Sequence, residues 1–329
     1  MKFVTVVIFI LLILSHHGVV SAEQRRFHKK IVDNTVQFTY QWQDQNKAPQ
    51  SLQFSVEKTQ LFNQFRNFKS YKAMLAKRYL NRGLKKALSE KSLADVEVSF
   101  SGKQGETHVA LKSQNKKALA EAYRTVEKFE KELTQQYLHK HYYQQFLNYD
   151  NNVAIKPDHA RFAKESLKNF EPYKELILDK LPVKNVRNIS NYVLGFVQSI
   201  PYTTLESRVT STGAGFNPPL RVLWDNQGDC DSKVTLTATL LKTLKPEIKI
   251  LLIIIDNHAL LAVDIPAKPG ELTINVEGFD YILAEPTGPA MMLTGQISAE
   301  SEFAIRNGRY VAEAFFTRLD EEKDQANTL

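Results

Sequence analysis

The chain contains a single cysteine, Cys230, in the segment Gln227-Gly228-Asp229-Cys230-Asp231-Ser232-Lys233. Asp229 suits a helix N-cap, and Gly228 lets the chain turn tightly ahead of it. The mostly apolar run 234–241 continues as a helix, which puts Cys230 in its first turn. There the helix dipole and free N–H groups favour the thiolate, the nucleophilic form of sulfur. The same N–H groups can hold an oxyanion developing on an attacked carbonyl. Asp229 and Asp231 act in the opposite direction, because like charge raises a thiol pKa, so such a site needs a cation nearby.

Histidine is the side chain that supplies positive charge and also moves a proton near neutral pH. His28 lies in a basic leader, His108 in a hairpin, His139 and His141 on a charged helix, and His159 at a helix start. His258 differs. It heads the apolar run Ala259-Leu260-Leu261-Ala262-Val263, which reads as a strand. Glu285 closes a later apolar run, Tyr281-Ile282-Leu283-Ala284, where an acid can orient the imidazole through its second nitrogen. An oxyanion side-chain donor is expected upstream, and Tyr202, Trp224 and Gln198 are the candidates, with Tyr202 preferred.

The elements that must position these groups read as α+β. Helices are expected over 158–179, 185–200 and 230–244, with a long Ser-, Thr-, Gly- and Pro-bearing loop over 203–219. Strands are expected over 248–255, 259–265, 272–276 and 281–284. One central helix followed by a run of strands is not a βαβ alternation. In the first half, 36–42 and 52–56 alternate as a hairpin, 62–88 has helical spacing, 96–100 and 107–111 form a second hairpin, and 116–149 reads as a long helix. No internal repeat is evident.

Three blocks carry a family resemblance: Gly228-Asp229-Cys230-Asp231-Ser232-Lys233, Asn257-His258-Ala259-Leu260-Leu261, and Ala284-Glu285-Pro286-Thr287-Gly288. Together they resemble the transglutaminase-like superfamily, whose core is related to papain. The resemblance spans roughly residues 160–310 and implies a central cysteine-bearing helix packed on an antiparallel sheet. It implies a Cys, His, acid triad in that chain order. Cys230 would then be the nucleophile, His258 the general base and then acid, and Glu285 the orienting acid. Glutamate departs from the family's usual aspartate and is one methylene longer; Asp280 is a weaker substitute. The implied activity is attack on an amide carbonyl of a protein or peptide through a thioester acyl-enzyme, which needs no cofactor. Water as second substrate gives a peptidase or amidase, and an amine gives a transglutaminase. The rival expectation is a binding or scaffold protein that keeps the fold without the chemistry.

The N-terminus adds a compartment. Met1-Lys2, an apolar stretch to Leu14 and the small residues Val20-Ser21-Ala22 read as a secretory signal peptide cut after Ala22, giving a periplasmic or extracellular protein. The alternative is an uncleaved membrane anchor. Residues 23–157 carry 24 basic and 13 acidic residues, a balance of +11, whereas 158–329 carry 18 and 23, a balance of −5. That asymmetry suggests a small basic α+β accessory domain before a catalytic domain over 158–329. The basic stretch 66–86 could dock on an anionic envelope polymer or membrane surface, but a solvated basic helix face is the preferred reading. Nucleic acid is not expected of an exported chain. His139-Lys140-His141 is not a metal pair, since residues two apart do not share a helix face.

Overall fold

In a computed structural model, which describes residues 24–91, 93–102, 108–207 and 213–316, the chain is α+β. The expected signal segment, 1–22, lies outside the described residues. No described helix is long and apolar enough to cross a membrane.

The first element, β1 (Gln24–Val32), pairs antiparallel with β2 (Thr35–Gln43), which pairs with β3 (Pro49–Glu57). Val36, Phe38, Tyr40 and Trp42 alternate inward from β2, and Leu52, Phe54 and Val56 from β3. The sequence pattern does not announce β1, because as an edge strand it has no fully buried position and carries Arg25, Arg26, Lys29 and Lys30. The helix expected over 62–88 is two helices, α1 (Lys58–Asn63) and α2 (Ala73–Glu90). Phe65 has φ +57°, which interrupts helical geometry. Phe65 and Phe68 instead pack against Phe162, where burial of three aromatic rings outweighs helix propagation.

The hairpin β4 (Glu97–Ser101) and β5 (His108–Lys112) precedes α3 (Lys116–Lys140), whose N-cap Asn115 accepts from Lys117 and Ala118 N–H. The helix expected to run to 149 stops at Lys140. Tyr142 takes φ +63°, and the chain forms a hairpin of β6 (Tyr143–Leu147) and β7 (Val153–Pro157). Asp158 then caps α4 (His159–Phe170), and a 3₁₀ turn at Glu171–Tyr173 containing Pro172 separates it from α5 (Lys174–Leu178).

Next come α6 (Val186–Ser199), capped by Asn185, α7 (Pro219–Asp225) and α8 (Cys230–Leu244). Every residue of α8 except Asp231 is buried. Its threonines are poor intrinsic helix formers, so tertiary burial decides the conformation. Thr235, Thr237, Thr239 and Thr243 satisfy their hydroxyls by donating to the carbonyl four residues back, at 2.7–2.9 Å. Val234, Leu236, Leu240 and Leu241 supply the burial, at roughly 1.5–3 kcal/mol each.

The strands β8 (Ile250–Ile255), β9 (His258–Val263), β10 (Thr273–Val276) and β11 (Phe279–Ala284), then α9 (Ala299–Arg306) and β12 (Val311–Ala314), complete the described chain. The five strands form an antiparallel sheet in the order β10-β11-β9-β8-β12. Alternation splits its faces. Ala259, Leu261, Val263 and Ile282 join α8, while Ile253, Leu260, Ala262 and Leu283 pack with Ala304 and Ile305 of α9.

The division expected at residue 157 has no counterpart in this packing. Inward residues of β2 and β3 share one continuous core with α6, α8 and β9, and Tyr40 Oη donates to the Leu223 carbonyl at 2.7 Å. Smaller clusters flank this core among the described residues: α2, α3 and the β4–β5 hairpin pack around Leu84, Leu88 and Val126, and Phe68, Tyr137, Tyr143, Phe162 and Phe216 form another.

Candidate active site

The start of α8 is built by the chain around Gly228. The segment 201–203 runs beside it, with Gly228 N–H donating to the Pro201 carbonyl and Thr203 N–H to the Gly228 carbonyl, both at 3.2 Å. A Cβ on Gly228 would stand 3.3 Å from both Ser232 Cβ and Lys233 Cγ, so glycine permits this close approach. Asp229 caps the helix by accepting Ser232 N–H at 3.0 Å, and its carboxylate also bonds the Ser232 hydroxyl. That hydroxyl in turn accepts the Asn217 N–H at 2.7 Å, which ties the preceding loop beneath the helix start. Burial, and then Asp231, push the Asp229 carboxyl up to about 7. Lys233 is wholly buried and donates to the Ile200 carbonyl; burial pulls its ammonium down to about 7 against the pull of Asp229.

Cys230 is 9% exposed and borders a cavity of about 490 Å³ together with Tyr202, Asp229, Asp231 and His258. Its thiol donates to Asp231 Oδ1 at 3.3 Å. Burial raises the thiol pKa well above its ordinary value, and Asp231 and Asp229 raise it further; the Ala259 backbone N–H reaching the sulfur opposes them. The helix N-terminus therefore does not leave a free thiolate here. Burial and two carboxylates outweigh the dipole.

His258 stands at the first position of β9, just past the two-residue turn Asp256-Asn257, where Asn257 takes φ +54°. Glu285 follows the last residue of β11. The two meet with His258 Nε2 3.0 Å from Glu285 Oε1. Glu285 is buried, and its Oε2 accepts the Ser298 N–H at 2.9 Å. Burial alone would raise its pKa, but the bonds from His258, Ser298 and Ser301 hold the carboxyl below the usual carboxylate range. With Nε2 engaged, Nδ1 is the nitrogen left to take a proton from another group. No hydrogen bond joins the imidazole to the thiol among the described residues. His258 borders two cavities: that of Cys230, and a second of about 480 Å³ shared with Glu285, Ser298 and Phe303.

Of the three expected oxyanion donors, only Tyr202 borders the Cys230 cavity. It is half exposed, and burial followed by the charges of Cys230, Asp229, Asp231 and Glu206 raises its phenol pKa, keeping it a donor. Gln198 is buried elsewhere. Its Nε2 donates to the Glu285 carbonyl at 2.8 Å and the Met292 carbonyl at 3.0 Å, so it anchors the loop after the acid and has no N–H to spare. Trp224 lies outside the cavity, under Lys29 at 3.8 Å and edge-on to Phe62. Asp280 sits at the exposed start of β11 and accepts from Asn275 at 2.8 Å, at the opposite end of the strand from Glu285.

Two further contributions to the site leave little trace in the sequence. The β6–β7 hairpin brings Phe146, Asn148, Tyr149 and Ala154 to the cavity wall. Tyr149 and Arg309 both bond the Asp256 carboxylate, fixing the turn that precedes His258. The other is His159, whose Nε2 lies 3.3 Å from Asp231 Oδ2. Nothing in the spacing links residue 159 to 231. Its position behind the cap Asp158, on a helix start, was the available signal. Searches of family models, curated proteins and solved structures find no match to this chain.

Proposed function

We propose that the protein is a cysteine-dependent acyl-transfer enzyme of the transglutaminase-like type, exported, and acting on amide bonds of a protein or peptide. One observation carries this reading: Cys230, on the first turn of a buried helix, borders a single cavity with His258, whose Nε2 is held by Glu285 at 3.0 Å. A helix packed on an antiparallel sheet, with nucleophile, base and acid in that chain order, fits the papain-related core implied by the three sequence blocks. In the reaction the Cys230 S–H proton passes to His258 Nδ1 while the sulfur's electron pair attacks the acyl carbon. Glu285 stabilises the imidazolium that results, and Tyr202 donates to the oxyanion. Protonation of the leaving amine by His258 then yields the thioester. Hydrolysis is the preferred second step, because Tyr202 on the cavity wall is half exposed, so water can reach the site.

A second reading, a scaffold that keeps the fold without turnover, draws on the thiol being bonded to Asp231 and not to His258. Activity profiling with an electrophilic acyl probe separates the two, followed by a panel of peptide and amine substrates. The enzyme reading expects labelling in wild type that is abolished in Cys230→Ala and lowered at least about 100-fold in His258→Ala. Equal labelling of wild type and His258→Ala favours the scaffold.

A further inference from the structure

The sulfur of Cys230 has acid–base groups on two sides. Toward β9 stands the His258–Glu285 pair. Toward α4, Asp231 Oδ1 accepts the thiol at 3.3 Å, and Asp231 Oδ2 lies 3.3 Å from His159 Nε2. His159 is 1% exposed and edge-on to Phe216, with ring centroids 5.2 Å apart. Among the described residues neither of its ring nitrogens makes a directed hydrogen bond, since the carboxylate is close to Nε2 but oblique to it. Burying an imidazole so poorly satisfied is costly, and the Asp231 contact is what offsets that cost. A carboxylate at the second position of a helix needs no such partner, because the dipole alone favours it in solvent.

The remaining ionisable groups facing this point come from every neighbouring element. Asp229 approaches from the α8 cap, Tyr202 and Glu206 from the loop after α6, His258 and Asp256 from β9 and the turn before it, and Tyr149 from the β6–β7 hairpin. Lys156 of β7, buried and paired with Glu313 of β12 at 2.7 Å, adds positive charge toward Asp231. Burial would raise the Asp231 pKa, but His159, the thiol and Lys156 hold the carboxyl below its ordinary value. It is therefore an anion at neutral pH, and an anion accepting an S–H favours the thiol over the thiolate.

We propose that Asp231 and His159 form a second carboxylate–imidazole couple on the nucleophile, which holds Cys230 as a protonated thiol, turned from His258, until substrate enters the cavity. The inference rests on the reading of Cys230 as the acyl-transfer nucleophile. Asp231 touches the sulfur directly, while His159 is a positioning residue that acts through Asp231. The two have opposite signs. Asp231 restrains the thiol, and His159 draws part of the carboxylate's charge to itself, which limits the restraint. Release leaves the chemistry unchanged: the S–H bond breaks toward His258 Nδ1 and the S–C bond forms, with no proton routed through Asp231.

Cys230 is the only cysteine in the sequence, so iodoacetamide alkylation of the full chain, read by intact mass between pH 6 and 9, reports this thiol alone. Lowering a thiol pKa by one unit raises the thiolate tenfold and costs about threefold in nucleophilicity, a net gain of about threefold. Asp231→Asn is expected to alkylate at least about threefold faster than wild type at pH 7. His159→Phe should be at least about threefold slower in the wild-type background and within about twofold of its parent in the Asp231→Asn background. His159→Gln, whose amide can still donate to Asp231, should fall between wild type and His159→Phe. An unchanged or slower Asp231→Asn overturns the proposal, as does an equal slowing by His159→Phe in both backgrounds. If circular dichroism shows that Asp231→Asn does not fold, the His159→Gln and His159→Phe pair decides, and no slowing in either overturns it. Alkylation requires no turnover. Failure of the couple is thus distinct from failure of the acyl-transfer reading, which the acyl probe and His258→Ala test.

Discussion

Glu285 reaches His258 Nε2 with one carboxylate oxygen at 3.0 Å and takes the Ser298 backbone N–H on the other at 2.9 Å. The acid is thereby fixed from both sides, and the imidazole is left one tautomer, with Nε2 bonded to the acid and Nδ1 turned to other partners. The extra methylene of glutamate is absorbed by the position of the residue, one step beyond the end of β11, where the chain leaves the sheet.

This arrangement predicts that Glu285→Gln retains the fold but lowers acylation of Cys230 at least about 100-fold: with its oxygen accepting the Ser298 N–H, the amide turns its NH2 to Nε2, which favours the wrong tautomer, and it carries no charge to stabilise an imidazolium. Single-turnover acylation by a nitrophenyl ester measures it. A second readout follows from linkage. The folded-state pKa of Glu285 is depressed, so its contribution to stability is present above the ordinary carboxylate pKa and is lost as pH falls through the folded value. Wild type should therefore lose thermal stability below about pH 4 more steeply than Glu285→Gln.

Lys233 predicts a pH dependence of the other sign. Its folded-state pKa is about 7, against about 10.4 for an exposed lysine, so between those values the unfolded chain binds the extra proton. Stability must then rise with pH across that window. Lys233→Met removes the titration, and its melting temperature should lack the rise between pH 7 and 10 that wild type shows. Parallel curves for the two proteins over that range would mean that the amine is not neutral in the fold.

How far the site was legible follows from where its parts lie in the chain. Cys230, His258 and Glu285 could be read because each sits at the end of a strongly patterned element, with a cap, a turn or a Pro-Thr-Gly break beside it. The run of strands after α8 could be read for the same reason. Gln198 and Trp224 were misplaced because their roles depend on which way a buried side chain points from α6 and α7, and hydrophobic periodicity does not set that. The β6–β7 hairpin was hidden inside a charged stretch whose helical spacing ends only at Tyr142, where a positive φ turns the chain. The packing of the β1–β3 sheet on α6 was beyond charge asymmetry altogether, since surface charge says nothing about which apolar faces share a core.

The loop that follows the acid is held by a glycine. Gly295 has φ +93°, and a Cβ there would come within 2.6 Å of the Glu271 carboxyl carbon. Arg187 holds that carboxylate with two bonds, at 2.7 and 3.0 Å, and also donates to the Pro266 carbonyl at 2.7 Å. Gly295→Ala combines backbone strain with displacement of this ion pair and should destabilise by about 2–3 kcal/mol. Urea unfolding monitored by tryptophan fluorescence gives the value. A change below about 0.5 kcal/mol would show that the loop relaxes freely.

Tyr202 offers a test that separates oxyanion stabilisation from thiol reactivity. Its ring borders the cavity beside Cys230, and the backbone bridge between Tyr202 and Gly228 fixes its distance from the start of α8. Alkylation by iodoacetamide forms no oxyanion, whereas acylation by an ester passes through a tetrahedral species whose oxygen gains charge. Removing only the hydroxyl in Tyr202→Phe should leave the alkylation rate within about twofold while lowering acylation about 10- to 100-fold, a loss borne by kcat and not by KM. If both rates fall together, Tyr202 shapes the thiol's surroundings and is not the donor. If neither falls, the donors are backbone N–H groups at the start of α8, and the tyrosine serves only to wall the cavity.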